Sequence, residues 1–108
     1  MKKPYEVRWA SVAENDLLGI LVYISEESPG NAKKVLSRIK NRTVKLEKSP
    51  MQGRVVPELL CQGIPLYREV VIAPWRIIYR VESDRVYILS VIDSRRNVED
   101  ILLARLLH

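Results

Sequence analysis

Histidine and cysteine are almost absent from this chain of 108 residues, which contains one of each, Cys61 and the C-terminal His108. A single cysteine excludes a disulfide within the chain, and there is no cluster of cysteine and histidine that could hold a metal ion. With no other imidazole, a catalytic site would lack the usual proton shuttle at neutral pH. We therefore expect no metal, no cofactor, no chemical role for either residue, and a reducing cytoplasmic location.

Long apolar runs are missing as well. The N-terminal residues MKKPYEVRWA lack the apolar stretch of a secretory signal. The most apolar segment, Leu17 to Ile24, is interrupted by Gly19 and is far shorter than the roughly 20 residues that cross a bilayer. We expect no membrane segment and interpret this stretch as part of a core helix. The length and the 47% of hydrophobic residues indicate one globular domain covering residues 1–108.

The first half of the chain predicts a strand followed by two helices. Apolar and charged residues alternate from Tyr5 to Trp9, which is typical of a strand. Ser11 and Glu14 have the spacing of a capping box, which predicts a helix that starts there and ends near Glu27. Ser28 and Pro29 predict the cap and first turn of a second helix, closing before Pro50, so the two helices should form a hairpin.

The second half predicts more strands, and the whole is an α+β fold. Glycines and prolines between Met51 and Pro65 indicate a connecting arm, with a short strand near Arg54–Val56. Short connections then make three consecutive strands antiparallel neighbours, predicted at Tyr67–Ala73, Trp75–Glu82 and Arg85–Asp93. A short last helix should begin at Asn97, with Val98, Ile101, Leu102 and Leu106 on its buried side.

The net charge of +5 and the isoelectric point near 9.6 favour a polyanionic partner. Seven cations lie within residues 33–48, whereas every cation after Lys48 is an arginine. Arginines also occupy strand positions where apolar side chains are usual, and a planar guanidinium can hold a phosphate or a carboxylate. These arginines are Arg68, Arg76 and Arg80 on the strands, and Arg95 and Arg96 just after the last strand.

The order of elements carries a family resemblance. A strand, a helix hairpin and the arm GRVVPEL precede YREVVIAPWRIIYRV, RVYILSVI and a closing SRRN. This ensemble resembles the RelE/ParE superfamily of toxins from bacterial and archaeal type II toxin-antitoxin, or plasmid stabilisation, systems, over about Tyr5 to Leu107. The resemblance implies a growth inhibitor that a cognate antitoxin neutralises within a hetero-oligomer. One branch resembles RelE, which cuts messenger RNA on the ribosome, and the other resembles ParE, which poisons DNA gyrase without nuclease chemistry.

For a RelE-like nuclease, the resemblance gives phosphate-holding, catalytic roles to Arg68, Arg76 and Arg95. The proton-transfer residues are missing, because Val70 stands where a second lysine is expected and no tyrosine follows Arg96. Arginine is a poor general base, so a tyrosine would have to substitute. We therefore favour a ParE-like action on gyrase, with a metal-free messenger RNA endoribonuclease (interferase) as the alternative and a decayed toxin as a third possibility. The substitutes in a nuclease would be Tyr79 and Tyr87.

Two further sets of residues are candidates for contacts with partners. Those for contact with nucleic acid or the toxin target are Arg80, Arg96, Lys34, Arg38, Arg42 and Lys45, although Arg76 and Arg80 could instead pair with Glu69 or Glu82. The last helix is apolar on more than one face, which indicates that the antitoxin covers part of it or the adjoining sheet edge. The residues predicted to contact the antitoxin are Ile101, Leu102 and Leu106.

Overall fold

The computed structural model describes residues 3–107, so His108 lies outside the described residues. Within these residues the chain forms a sheet of five strands and four α-helices, with one turn of 3-10 helix at Lys45–Glu47. In chain order the elements are β1 (Glu6–Trp9), α1 (Ser11–Glu27), α2 (Pro29–Val44), β2 (Arg54–Val55), α3 (Pro57–Leu60), β3 (Tyr67–Ile72), β4 (Trp75–Glu82), β5 (Arg85–Asp93) and α4 (Val98–Leu106). The predicted α+β class and order of the main elements are confirmed.

The sheet has the strand order β1-β5-β4-β3-β2. The strands β2 to β5 pair in antiparallel fashion, as predicted for β3 to β5. The first strand β1 runs parallel to the last strand β5, with Glu6 opposite Arg85 and Trp9 opposite Ile88. A parallel pair needs a long crossover, and the hairpin of α1 and α2 begins that crossover. The chain therefore completes its sheet only when its first and last strands meet.

Each face of the sheet has its own core. We call the side that α1 and α2 cover the hairpin face, where Val70, Ile77 and Tyr79 pack against Ala13 and Ile39. We call the other side the C-terminal face, because α3 and α4 cover it. There the strand residues Tyr67, Ile78 and Ile92 pack against the helix residues Leu59, Val98 and Leu102. A side chain on a strand therefore lies on one of two unconnected surfaces, according to its position.

The two helix starts in the hairpin differ in their caps. Ser28 caps α2 as predicted, since its hydroxyl accepts a hydrogen bond from the Asn31 amide at 3.2 Å. The helix α1 starts at Ser11 as predicted, but the capping box is wrong, because Ser11 is the first helical residue and Ala10 is the N-cap, without a side-chain bond. The Ala10 amide still donates to the Ile88 carbonyl at 2.9 Å, so pairing with β5 determines where the helix starts.

The connecting arm is more ordered than its glycines and prolines predict. It contains the helix α3, which was not expected, with Pro57 in its first turn where a missing amide hydrogen is harmless. Tyr79 also fixes the arm, because its hydroxyl donates to the Pro50 carbonyl at 2.8 Å and accepts from the Gly53 amide at 2.9 Å. Across residues 3–107, none of the helices has the length and apolar character that a bilayer crossing requires.

Candidate functional site

Arg76 is the most constrained of the predicted site residues. It is buried on β4, and its two terminal nitrogens donate to both carboxylate oxygens of Glu58 on α3, at 2.5 and 2.6 Å. Its Nε donates to Glu69 on β3 at 2.7 Å, and buried Glu69 also accepts from the Nε of Arg54 at 2.5 Å. These four side chains form a network of alternating charge in which the guanidinium is already satisfied.

Within the network, the pKa values of Glu58 and of Arg76 are shifted in the direction that keeps each side chain charged. The hydrogen bond from Arg76 is the largest influence on Glu58 and lowers its pKa below the ordinary 4.5. The bond to Glu58 in turn raises the pKa of Arg76 further above its ordinary value. The structure thus contains the pair of Arg76 with Glu69, which the sequence analysis gave as an alternative to a binding role. Arg76 therefore fastens α3 to the sheet instead of presenting a free cation.

Arg68 lies on the opposite face of the sheet from Arg76. In the β3–β4 register, Arg68 faces Tyr79 and Val71 faces Arg76. Because neighbouring strand residues alternate between faces, Arg68 is on the hairpin face and Arg76 is on the C-terminal face. The Arg68 guanidinium donates to two backbone carbonyls, those of Gly53 at 2.8 Å and Met51 at 3.4 Å. The sheet itself thus separates two of the three residues predicted to hold a single phosphate.

The remaining strand and loop arginines are mostly paired with acids. Exposed Arg95 donates through Nε to Asp93 at 2.9 Å and through Nη2 to its other oxygen, and these bonds lower the pKa of Asp93 to about 2. Arg80 pairs with Glu82, as the alternative interpretation expected. Arg96 differs, because its side chain has no hydrogen-bond or ion-pair partner within residues 3–107. Arg68, Arg76 and Arg95 consequently do not form one site.

Neither tyrosine is well placed to act as a base on that set. Tyr79 is fully buried, and both its hydroxyl bonds are to the arm. Burial is the largest influence on Tyr79 and raises its pKa above the ordinary 10.0, against smaller opposing effects of the Gly53 amide and of the charges on Arg68 and Arg42. The Tyr87 hydroxyl accepts a long bond of 3.4 Å from Arg85. Among residues 3–107, no group of three or more histidine, cysteine or acidic side chains is placed to hold a metal ion.

The C-terminal helix α4 uses its apolar residues mainly inside the chain. Leu102 has 0% exposure and packs in the core of the C-terminal face, so a partner could reach it only if α4 left the sheet. Ile101 and Leu106 are half-buried against the same core. Arg105 also ties α4 down, because it donates to both oxygens of Asp16 on α1, at 2.8 and 3.1 Å. The predicted contact of Leu102 with an antitoxin does not fit this arrangement.

A cleft of about 610 Å³ lies between α1 and the end of β5, and the sequence analysis missed it. Its apolar wall comes from Ile20, Ile24 and Trp75, and its rim includes Arg95 and Arg96. A glycine, Gly19, leaves room along the helix, since a Cβ there would meet no atom within 4 Å. The signal in the sequence was this glycine within a helical pattern.

The outward surface of α1 beside this cleft is apolar. Leu18 is 60% exposed, Val22 49% and Tyr23 75%, and Val12 is also exposed on this surface. We call these four residues the outer face of α1. A helix that is apolar on its buried and outward sides presents surface to a partner. The predicted stripe of this helix accounted for the buried side only, and the surplus of apolar residues was the missed signal.

The basic residues of α2 and of the 3-10 turn after it are mostly exposed to solvent. Lys34, Arg38 and Lys45 are exposed, and Arg42 is half-buried with one bond of 2.7 Å to the Gln52 side chain. Together with the cleft and the outer face of α1, they give the hairpin two chemically different surfaces. One is apolar and the other is cationic.

Comparison with known proteins accounts for this architecture. A family model described as the ParE toxin of the type II toxin-antitoxin system parDE matches residues 7–98. Among solved structures, the chain is similar to one from a chromosomal ParDE toxin-antitoxin system of P. aeruginosa. The identity is 22% and the TM-score 0.68, over 82% of this chain and 95% of that chain.

It is also similar to a chain of the toxin-antitoxin complex RelBE2 from Mycobacterium tuberculosis, at 21% identity and a TM-score of 0.58, over 83% of this chain and 98% of that chain. Among curated proteins, none matches the chain. At these identities, the likeness to both structures establishes the shared fold.

Proposed function

Because the chain belongs to the ParE toxin family of type II toxin-antitoxin systems, we propose that it stops growth by acting on DNA gyrase rather than by cutting messenger RNA. The observation that carries this choice is the saturation of Arg76 by Glu58 and Glu69. A nuclease needs that cation free to hold a phosphate while charge develops on it. In this chain the same cation is a buried structural tie.

Two further observations support a toxin without nuclease chemistry of its own. Arg68 lies on the other face of the sheet, so it cannot join Arg76 at one phosphate. Tyr79 is buried beneath the arm, and burial raises its pKa. Its hydroxyl therefore stays protonated at neutral pH and is a poor proton acceptor. If gyrase is the target, as proposed, the toxin acts in the cytoplasm.

The test compares two activities of the purified full chain. With gyrase, ATP and supercoiled plasmid, we expect the toxin to trap cleaved DNA that appears as linear plasmid after detergent and protease treatment. With translating ribosomes, a reporter messenger RNA should stay intact by primer extension. Omitting gyrase is the matched control and should leave the plasmid uncut. Cleavage of the translated message without gyrase-dependent DNA breaks would refute the proposal and identify a nuclease.

We further propose that the cognate antitoxin covers the outer face of α1 and the adjoining cleft, rather than Leu102. Antitoxins of this kind are the partners implied by the family, and a segment that folds on binding needs apolar surface to bury. The outer face of α1 provides that surface, and the rim of the cleft provides Arg96 with no partner among the residues that the structure describes. An acidic antitoxin segment with apolar anchors fits both.

A pair of serine variants tests this interface. We expect Leu18→Ser with Val22→Ser to weaken antitoxin binding by at least about tenfold in calorimetry, since each lost apolar contact is worth about 1–2 kcal/mol. The matched control is Val44→Ser with Leu66→Ser, two residues of similar exposure (55% and 50%) elsewhere on the chain. An equal loss in both variants, or no loss in the first, would place the antitoxin on another surface.

A further inference from the structure

The positive charge of this chain is concentrated in one short segment. Residues 33–48 contain seven cations and a single acid, Glu47, so their net charge exceeds the +5 of the whole chain and the remainder is slightly acidic. Within residues 3–107, none of these seven cations forms an ion pair. By contrast, arginines elsewhere, such as Arg76, Arg95 and Arg105, are held by carboxylates. The cations of this segment are therefore not neutralised by carboxylates, whereas many arginines outside it are.

Four of these cations form a line along α2 and the start of the 3-10 turn that follows it. Lys34, Arg38, Arg42 and Lys45 are separated by steps of four, four and three residues, which keeps them on one side of the helix and extends over about 16 Å of its axis. We call these four residues the basic stripe. Lys33 and Lys40 lie roughly a third of a turn away around the helix, so they form a separate edge.

The basic stripe continues onto the sheet at Arg68. Arg42 reaches the arm through its bond to Gln52, and Arg68 reaches the same arm through the carbonyls of Gly53 and Met51. The two guanidinium groups bond to consecutive residues of the arm, 51–53, so their charges lie on the same part of the surface. Because Arg68 bonds to carbonyls and not to carboxylates, its charge is not neutralised. Five cations therefore follow one another from the α2 surface to β3.

The chemistry of this surface matches a double-helical phosphate backbone. A duplex presents about one negative charge per 1.7 Å of its axis, so a line of cations on a straight helix can contact several phosphates at once. Residues 33–48 contain no aromatic side chain, whereas proteins that hold single strands stack bases on aromatic rings. The basic stripe also lacks apolar anchors, which an acidic peptide that folds on binding would need.

We propose that the basic stripe, together with Arg68, binds the phosphate backbone of duplex nucleic acid without sequence preference. The partner is a regular duplex, and the stripe recognises the spacing of its phosphate charges. The inference is independent of the action on gyrase, because binding is measured with the toxin and nucleic acid alone. It is also independent of the antitoxin surface that we propose on α1.

The experiment measures fluorescence anisotropy of a labelled, scrambled duplex of about 20 base pairs with the purified full chain, in DNA and RNA versions, between roughly 50 and 200 mM salt. We expect the logarithm of the association constant to fall linearly with the logarithm of the salt concentration. For five phosphate contacts the slope should be about −4 to −5. The DNA and RNA arms identify which duplex is the stronger ligand. Single-stranded DNA of the same length should bind less tightly.

Two triple variants with the same change in net charge separate the stripe from charge in general. Lys34→Gln, Arg38→Gln and Lys45→Gln should weaken duplex binding at least tenfold and reduce the slope by about 3. Lys33→Gln, Lys40→Gln and Lys48→Gln should change the affinity by less than about threefold. Circular dichroism checks that both variants stay folded, as exposed lysines and arginines allow.

Three results would overturn the inference. Absence of duplex binding at roughly 50 mM salt would refute the proposal. An equal loss of affinity in both triple variants would show that the net charge of the chain, and not the basic stripe, attracts the duplex. Loss of antitoxin affinity in the stripe variant, with duplex binding unchanged, would assign the stripe to an acidic protein segment instead.

Discussion

The hydroxyl of Tyr79 holds the connecting arm in place through its hydrogen bonds to Pro50 and Gly53. These bonds require the backbone of Gly53 to lie very close to the Tyr79 side chain. Gly53 lies so near that a Cβ there would sit 2.4 Å from the Glu69 carbonyl oxygen and 2.6 Å from the Tyr79 hydroxyl oxygen. Only glycine fits between them. Gly53 directly precedes β2, so its bond to Tyr79 also helps to align β2 with β3. In that alignment Arg54 lies opposite Glu69 and donates to it.

We expect Gly53→Ala to destabilise the fold by about 2–4 kcal/mol, because the arm must shift and the hydrogen bond to Tyr79 is lost. The free energy of unfolding in urea measures this. Gly30→Ala is the matched control, since a Cβ there meets no atom within 4 Å and alanine favours a helix by up to about 1 kcal/mol. Similar effects of the two substitutions would contradict the close approach.

Single residues also show what sequence could and could not predict about the site. The opposite faces of Arg68 and Arg76 follow from the tight turn at Pro74, because that turn pairs Ile72 with Trp75 and hence Arg68 with Tyr79. This could have been derived before the structure was known. The bond from Arg76 to Glu58, 18 residues away, could not, because it depends on where α3 docks.

Among the elements, α3 depends most on tertiary contacts. Four residues are too few for a stable isolated helix, so α3 exists because Leu59 is buried and Glu58 grips Arg76. The strands and the long helices were predictable because their apolar periodicity is local. Short α3 and the parallel position of β1 carry no such local signal.

The grip of Glu58 on Arg76 predicts a pH dependence of stability. The pKa of Glu58 is lowered in the folded state, so its contribution is complete above about pH 4.5 and is lost as the pH falls through the folded pKa. We expect Glu58→Gln to cost about 1–2 kcal/mol at pH 7 in urea unfolding, a modest value because the carboxylate is partly exposed.

The difference between the wild type and Glu58→Gln should narrow as the pH is lowered from about 4.5 towards 3, because the carboxylate becomes protonated. Asp93, with its pKa lowered to about 2 by Arg95, acts in the same direction in both proteins and cancels in the comparison. A constant difference across this range would mean that Glu58 contributes by packing alone.

At the scale of the whole molecule, surfaces of different chemistry are kept apart. The α1 side of the hairpin is apolar, and the α2 side is cationic. The basic composition of the chain predicts a polyanionic partner, and we propose that the lysine-rich segment on α2 binds it. The apolar outer face of α1 was missed because a helical stripe accounts for one side only. An antitoxin on α1 would leave the basic stripe open.

The ion pair between Asp16 and Arg105 joins residues 89 positions apart and fastens α4 to α1. During synthesis the ribosome adds about 5–20 residues per second, so roughly 5–20 seconds separate the appearance of the two partners. The parallel pairing of β1 with β5 is delayed in the same way. The last strand and α4 of this toxin therefore join the fold only when translation is nearly finished, and a prematurely terminated chain that lacks Arg105 cannot form the ion pair to Asp16.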